Sequence, residues 1–154
     1  MHKLDDIDKK LLERLQADAK PNIKALADEL GITKTPIYDR IKRYELSGII
    51  EKYVAIVNPE KVTKSMVVFC SVSLENQKLE ELKKFSAAIE KIPEVMECYL
   101  MGGANDFLLK VVVEDLGAYH QFSAGKLAAL PNVAQIKSTF VLNVTKRSTV
   151  HPLI

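Results

Sequence analysis

Apolar residues recur every three or four positions through the first third of this chain, then change to strand-like runs, and that change of period divides the molecule. Leu4, Ile7, Leu11, Leu12 and Leu15 mark one amphipathic helix. Asp5 is placed to cap it, and Asp6 and Asp8 suit the positive helix end. Pro21 closes the connection that follows. Ile23, Leu26, Ala27 and Leu30 form the stripe of a second, shorter helix, with Asn22 as its cap and Gly31 as its left-handed stop. Thr33 then caps a third helix. Pro36 falls in its first turn, where a missing N–H costs nothing. Ile37, Ile41 and Tyr44 make its apolar stripe, and Gly48 ends it.

Strand-like runs follow. "IIEKYVAIV" is rich in β-branched residues and reads as strand. "MVVFCSVSLE", "VMECYL", "DFLLKVVVE" and "NVAQIKSTFVLNVT" also read as strands. Between them lie two helical patterns. One is "QKLEELKKFSAAIEKIP", with Leu79, Leu82, Phe85, Ile89 and Ile92 inward. The other is "LGAYHQFSAGKLAALP". The order β-α-β-β-α-β predicts a ferredoxin-like sandwich. The chain therefore reads as α+β, an N-terminal winged helix-turn-helix joined to a C-terminal ferredoxin-like domain. Boundaries fall at 1–52 for the helices, 53–64 for a linker strand and hinge around Pro59, and 65–154 for the sandwich.

Composition changes this picture little. With 154 residues, one ordinary domain or two small ones fit. No apolar run approaches the ~18 residues of a membrane helix, and the charged start "MHKLDDIDKK" lacks a signal-peptide core. A cytoplasmic protein with no membrane partner is expected. Cys70 and Cys98 sit in strand runs without metal-ligand spacing and are expected to be buried thiols; no metal or cofactor is expected. His2, His120 and His151 are scattered and unpartnered, and no P-loop, nucleophile elbow or other catalytic set appears. A net charge of +2 does not argue for nucleic acid. The first 52 residues hold 11 Lys+Arg against 10 Asp+Glu.

The basic charge is local instead. Segment 33–43 holds Lys34, Arg40, Lys42 and Arg43 against Asp39 alone. The second and third helices are joined by so short a turn that they must cross steeply, as in a helix-turn-helix. That geometry delivers the start of the third helix into a DNA major groove. Lys34, Thr35, Pro36, Tyr38, Asp39, Arg40, Lys42 and Arg43 are the candidate DNA-binding residues. Arg40 is favoured for a base edge, because its fork fits guanine O6 and N7. Lys42 and Arg43 are read as phosphate contacts.

The residues from Leu4 to Val62 resemble the N-terminal half of the Lrp/AsnC transcriptional regulators. Leu4, Asp5, Asp8, Leu11 and Leu12 are similar to that family's opening motif. Gly31 to Pro36 resembles the approach to its recognition helix, and Arg40, Ile41, Lys42, Arg43, Tyr44 and Glu45 resemble its continuation, with Tyr44 in place of the usual leucine. "ECYLMGGANDFLLKVVVED" is similar to a later family segment, with Met101 before Gly102 where the family has Thr or Ser. The resemblance covers nearly the whole chain. It implies an effector domain of β-α-β-β-α-β order, homodimers that assemble to higher oligomers such as octamers, and free amino acids as effectors.

The loop Met101, Gly102, Gly103, Ala104, Asn105, Asp106 is the candidate effector site. As a plain hairpin turn, Gly103 and Asn105 would supply positive φ. As a ligand site, its glycines would present backbone N–H groups to a carboxylate, and Asp106 would accept from an ammonium. Two rival functions use the same sandwich. One is an amino-acid-binding regulatory subunit or metabolic sensor, opposed by the helix-turn-helix. The other is an RNA binder, opposed by central strands that offer only Phe107 for base stacking.

Overall fold

The computed structural model describes residues 4–153. Two compact units form: Met1–Ile56 with Thr145–Ile154, and Val57–Val144. Sequence reading places 145–154 in the second domain, whereas this segment packs with the helices. Its anchors are Gln16 and Leu153. The Gln16 side chain donates to the His151 carbonyl at 3.2 Å and accepts from the His151 N–H at 2.6 Å. Leu153 joins the helical core.

In the first unit, α1 spans Asp6–Ala17, α2 Ile23–Leu30 and α3 Lys34–Leu46. Asp5 and Asp8 form a reciprocal capping box on α1. The Asn22 side chain accepts from Lys24 and Ala25. Gly31 is left-handed, with φ +67° and ψ +30°, which lets the chain turn sharply into α3. Thr33 holds the N-cap backbone geometry, yet its side chain makes no cap bond. Leu11, Leu12, Leu15, Leu26, Ala27, Ile37 and Tyr44 form the core. The strand expected at 49–57 is not formed: these residues carry no ladder pairing, and Tyr53, Val54, Ile56 and Val57 are exposed. A run of β-branched residues forms a strand only when a partner edge is present to receive it.

The second unit opens with a 3₁₀ turn at Pro59–Lys61, which supplies the hinge proline. Four strands follow: β1 Met66–Leu74, β2 Val95–Leu100, β3 Phe107–Val113 and β4 Val133–Phe140. They lie antiparallel in the order β2-β3-β1-β4. Alternation is strict on the central strands. Val68, Cys70, Val72 and Leu74, with Phe107, Leu109, Val111 and Val113, point to one face and are buried. Helix α4, Leu79–Ile89, supplies Phe85 and Ile89 to that face, with Phe85 on Phe107 at 4.5 Å between centroids. Leu79, expected inward, is exposed at the first position of α4. Cys98, expected buried, is exposed on the edge strand β2; an edge has no neighbour to cover it.

The last helix breaks its period. Helix α5, Leu116–His120, passes into a wide π turn, Gln121–Leu127. An unbroken α-helix carrying Tyr119 and Phe122 inward would bring Lys126 inward next. The wide turn buries Leu127 instead and sends Lys126 out to Glu94. Tyr119 spans the core polar string, its hydroxyl bonded to Cys70 Sγ at 3.2 Å and to Ser138 Oγ. Burial pushes the Tyr119 hydroxyl up to about 12. The strand expected through Thr145 stops at Phe140, where pairing with β1 ends.

Candidate functional site

Two places carry chemistry: the start and outer face of α3, and the loop between β2 and β3. On α3, Ile37 and Tyr44 face the core and leave the opposite side to solvent. Lys34, Thr35, Pro36, Tyr38, Asp39 and Lys42 are all exposed. Among the described residues, Lys34 and Lys42 form no ion pair, so their charges are presented outward.

Arg40 is elsewhere than its fork suggested. Its side chain is only 21% exposed and faces the start of α1. Its terminal nitrogens contact the Asp5 carboxylate at 3.0 and 2.9 Å, and one also reaches Asp8 Oδ1. The guanidinium fork expected on guanine is thus occupied inside the unit. Arg43 donates to the same Asp8 oxygen at 2.6 Å, although its side chain remains 56% exposed. Tyr44, fully buried, donates its hydroxyl to that oxygen at 2.5 Å. The Asp5 N–H donates to Asp8 Oδ2 at 3.1 Å.

Electrostatics follows from this geometry. Arg40, with the Asp8 backbone N–H, holds the Asp5 carboxyl below the usual range. Burial opposes the Asp8 charge, but the Tyr44 hydroxyl, the Asp5 N–H and Arg40 together hold its carboxyl below the usual range too. Burial and the bond to Asp8 raise the Tyr44 hydroxyl. In the sequence Asp8 reads as a helix-start charge and as a member of the opening motif, not as the partner of α3. The signal for more was its place in the α1 stripe with Leu11, Leu12 and Leu15, since an acid on a buried face needs cations opposite.

The loop is a hairpin connection. Met101 N–H donates to the Asp106 carbonyl at 2.8 Å, and Asp106 N–H to the Val72 carbonyl at 2.9 Å. Met101, Gly102, Gly103 and Ala104 are exposed; Asn105 and Asp106 are half-buried. The positive φ expected at Gly103 and Asn105 is absent, and the described residues show it only at Gly31, Gly48 and Asn132. The alternating twist of an anion nest is therefore not made. The N–H groups of Gly102, Gly103, Ala104 and Asn105 nevertheless meet no acceptor among the described residues. Asp106 has a fold task as well: Oδ2 accepts from the Leu74 N–H at 2.7 Å, where β1 ends, and from Gln77 at 3.5 Å. Its other oxygen meets no donor among the described residues. Asn105 accepts from Ser73 at 3.3 Å.

No three His, Cys, Asp or Glu side chains gather in metal-binding geometry among the described residues. No helix there is long and apolar enough to cross a membrane. His120 and His151 are exposed, and His2 lies outside the described residues.

Comparison with known proteins assigns a family to each unit. Residues 4–51 match the family model for a winged helix-turn-helix DNA-binding domain, and residues 67–151 match that for an Lrp/AsnC ligand binding domain. A Bkd operon transcriptional regulator of Pseudomonas aeruginosa is 39% identical over 153 residues, covering 99% of this chain and 100% of that protein. The crystal structure of an AsnC family transcriptional regulator from Agrobacterium tumefaciens superposes with a TM-score of 0.88 at 36% identity, covering 97% of each chain. A transcriptional regulator from Neisseria meningitidis in complex with L-Met superposes with a TM-score of 0.89 at 30% identity, again covering 97% of each.

Proposed function

This chain belongs to the Lrp/AsnC family of DNA-binding transcriptional regulators, and from that premise we propose how it reads DNA and what it senses. It is a regulator, not an enzyme. The observation that carries the DNA-binding reading is the solvent face of α3, where Lys34, Thr35, Pro36, Tyr38, Asp39 and Lys42 are all exposed. Its N-terminal turn enters the major groove of double-stranded DNA. Lys34 and the first amides meet phosphate; Thr35, Tyr38 and Asp39 meet base edges. Lys42 meets the flanking backbone. The protein works in the cytoplasm, with the DNA.

The effector is a free amino acid taken at Met101, Gly102, Gly103, Ala104, Asn105 and Asp106. The unpartnered N–H groups suit a carboxylate, and the free Asp106 oxygen suits an ammonium. The L-Met complex of the Neisseria regulator supports that chemical class. Assembly is a homodimer that builds to an octamer. Exposed Tyr53, Val54, Ile56 and Val57 offer an unpaired apolar segment. The sheet face away from the helices carries Val67, Phe69, Leu108 and Val112. Both suit a second copy.

The test combines three measurements on the full chain. A duplex selected from a randomised pool should be shifted on a gel in preference to a scrambled duplex. A thermal-shift screen of the twenty amino acids should find at least one that stabilises the protein and alters that shift. No discrimination between duplexes would remove the sequence-specific reading. No stabilising amino acid would remove the effector reading. Light scattering should report a dimer or larger at micromolar concentration, and a monomer would remove the assembly.

A further inference from the structure

Asp8 is a carboxylate on an otherwise apolar helix face. It shares the inner stripe of α1 with Leu11, Leu12 and Leu15, and it is 3% exposed. A carboxylate in that setting persists only when its lone pairs are met by cations and donors. Here one oxygen alone gathers Arg40, Arg43 and the Tyr44 hydroxyl. Asp5 takes the other side of Arg40. Two carboxylates thus face two guanidiniums. Of the four cations along α3, the two arginines are neutralised on α1, and Lys34 and Lys42 remain.

Position matters as much as charge. Arg40, Arg43 and Tyr44 share one flank of α3, spaced three and four residues apart. Arg43 also lies one turn beyond Asp39, at the border of the exposed face. Released, it would point into the solvent layer that a DNA backbone occupies. The third donor, Tyr44, stands where the family pattern has leucine, so this chain adds a hydroxyl to the point that holds both arginines.

We propose that Asp8 is a positioning residue for DNA recognition: it draws Arg40 and Arg43 onto α1, which sets the pose of α3 and withdraws both guanidiniums from the phosphate backbone. This rests on the DNA-binding reading above and adds how discrimination is achieved. Sequence-independent affinity comes from phosphate contacts, each adding about 0.9 to the slope of log K against log salt. Base readout comes from the pose of the helix. A latch that removes two cations from the first while fixing the second lowers background binding without loss of readout.

The test uses the full chain, a salt series, and fluorescence anisotropy on two duplexes: one selected by the wild type from a randomised pool, and a scrambled duplex of the same composition. Wild-type binding to these duplexes reads the DNA-binding function; the variants read the latch. Asp8→Asn keeps the shape and removes the charge. It should strengthen scrambled-duplex binding, steepen the salt slope by about one to two, and reduce the selected-to-scrambled ratio about tenfold. Arg40→Ala and Arg43→Ala should leave the slope unchanged. Equal weakening of Asp8→Asn on both duplexes at unchanged slope would reduce Asp8 to a merely structural residue and overturn the proposal. A slope flattened by about 0.9 in Arg43→Ala would also overturn it, since Arg43 would then already touch phosphate. If circular dichroism shows Asp8→Asn unfolded, the two arginine variants decide: unchanged slopes uphold the latch and flattened slopes reject it.

Discussion

At Asp8, opposing forces on one carboxyl set a pH dependence. Burial favours its neutral form, while Tyr44, the Asp5 N–H and Arg40 favour its charge, and the charge wins. Its folded pKa therefore lies below its unfolded value of about 3.9. The sign follows from linkage: the stabilisation is complete above that unfolded value and is lost as pH falls through the folded one. Urea unfolding followed by circular dichroism should show the helical unit weakening below about pH 4. Asp8→Asn should flatten that fall, and an unchanged acid profile would show that the network does not govern it. Tyr44→Phe should cost ~1–2 kcal/mol at neutral pH, because a buried donor to a charged acceptor is removed. Asp106 has two roles to separate. Its bond to the Leu74 N–H makes Asp106→Ala a stability variant as well as a ligand variant, at roughly 1.5–3 kcal/mol. Asp106→Asn keeps an oxygen for Leu74 and removes the charge an ammonium needs. Calorimetry should find it folded with amino-acid affinity down at least tenfold, about 1.4 kcal/mol. Equal affinity would move the effector site away from this loop.

At the scale of elements, the glycines divide by backbone conformation. Gly31 turns α2 into α3 at φ +67°, where a Cβ meets no atom but the backbone itself is strained. Gly31→Ala should cost about 1–2 kcal/mol. Gly103 has no positive φ and open space around it, so Gly103→Ala should stay within ~0.5 kcal/mol. Thermal unfolding of both variants checks the pair, and equal shifts would contradict the assignment. This contrast also marks what the sequence made legible. Caps, stripes and the left-handed Gly31 were readable because each is a local rule met within four residues. The order of α4, α5 and the four strands was readable from period alone. The turn at 102–105 was not, since several backbone routes close a hairpin of that length. The stretch 49–57 read as strand because β-branched residues carry a preference but no partner. The π turn escaped because burying Leu127 in place of Lys126 is decided by the sheet beneath. Arg40 escaped for the same reason: its partners Asp5 and Asp8 lie 35 and 32 residues away.

At the scale of the molecule, the chain passes between its two units twice, once near 56 and again near 144. The last segment returns to the helices that the first segment built. Its hold is modest and local: paired bonds between Gln16 and His151, one from the Thr149 hydroxyl to the Gln16 carbonyl at 3.4 Å, and Leu153 against the core. Partial burial of one leucine with two or three exposed hydrogen bonds amounts to about 1–3 kcal/mol. For a unit of this size, each kcal/mol corresponds to roughly 4–8 °C in Tm. A chain ending at Val144 should therefore unfold its helical unit about 5–20 °C earlier. The sheet's core residues, from Val68 to Leu127, lie outside the deleted segment, so the transition of the second unit should move little. Calorimetry resolves the two transitions, with the α1 bonds probed separately by Gln16→Ala, which should reproduce part of the shift. Helical and sheet transitions falling together would show that the tail serves the whole assembly, and an unmoved helical transition would show that it contributes no stability to the helices it touches.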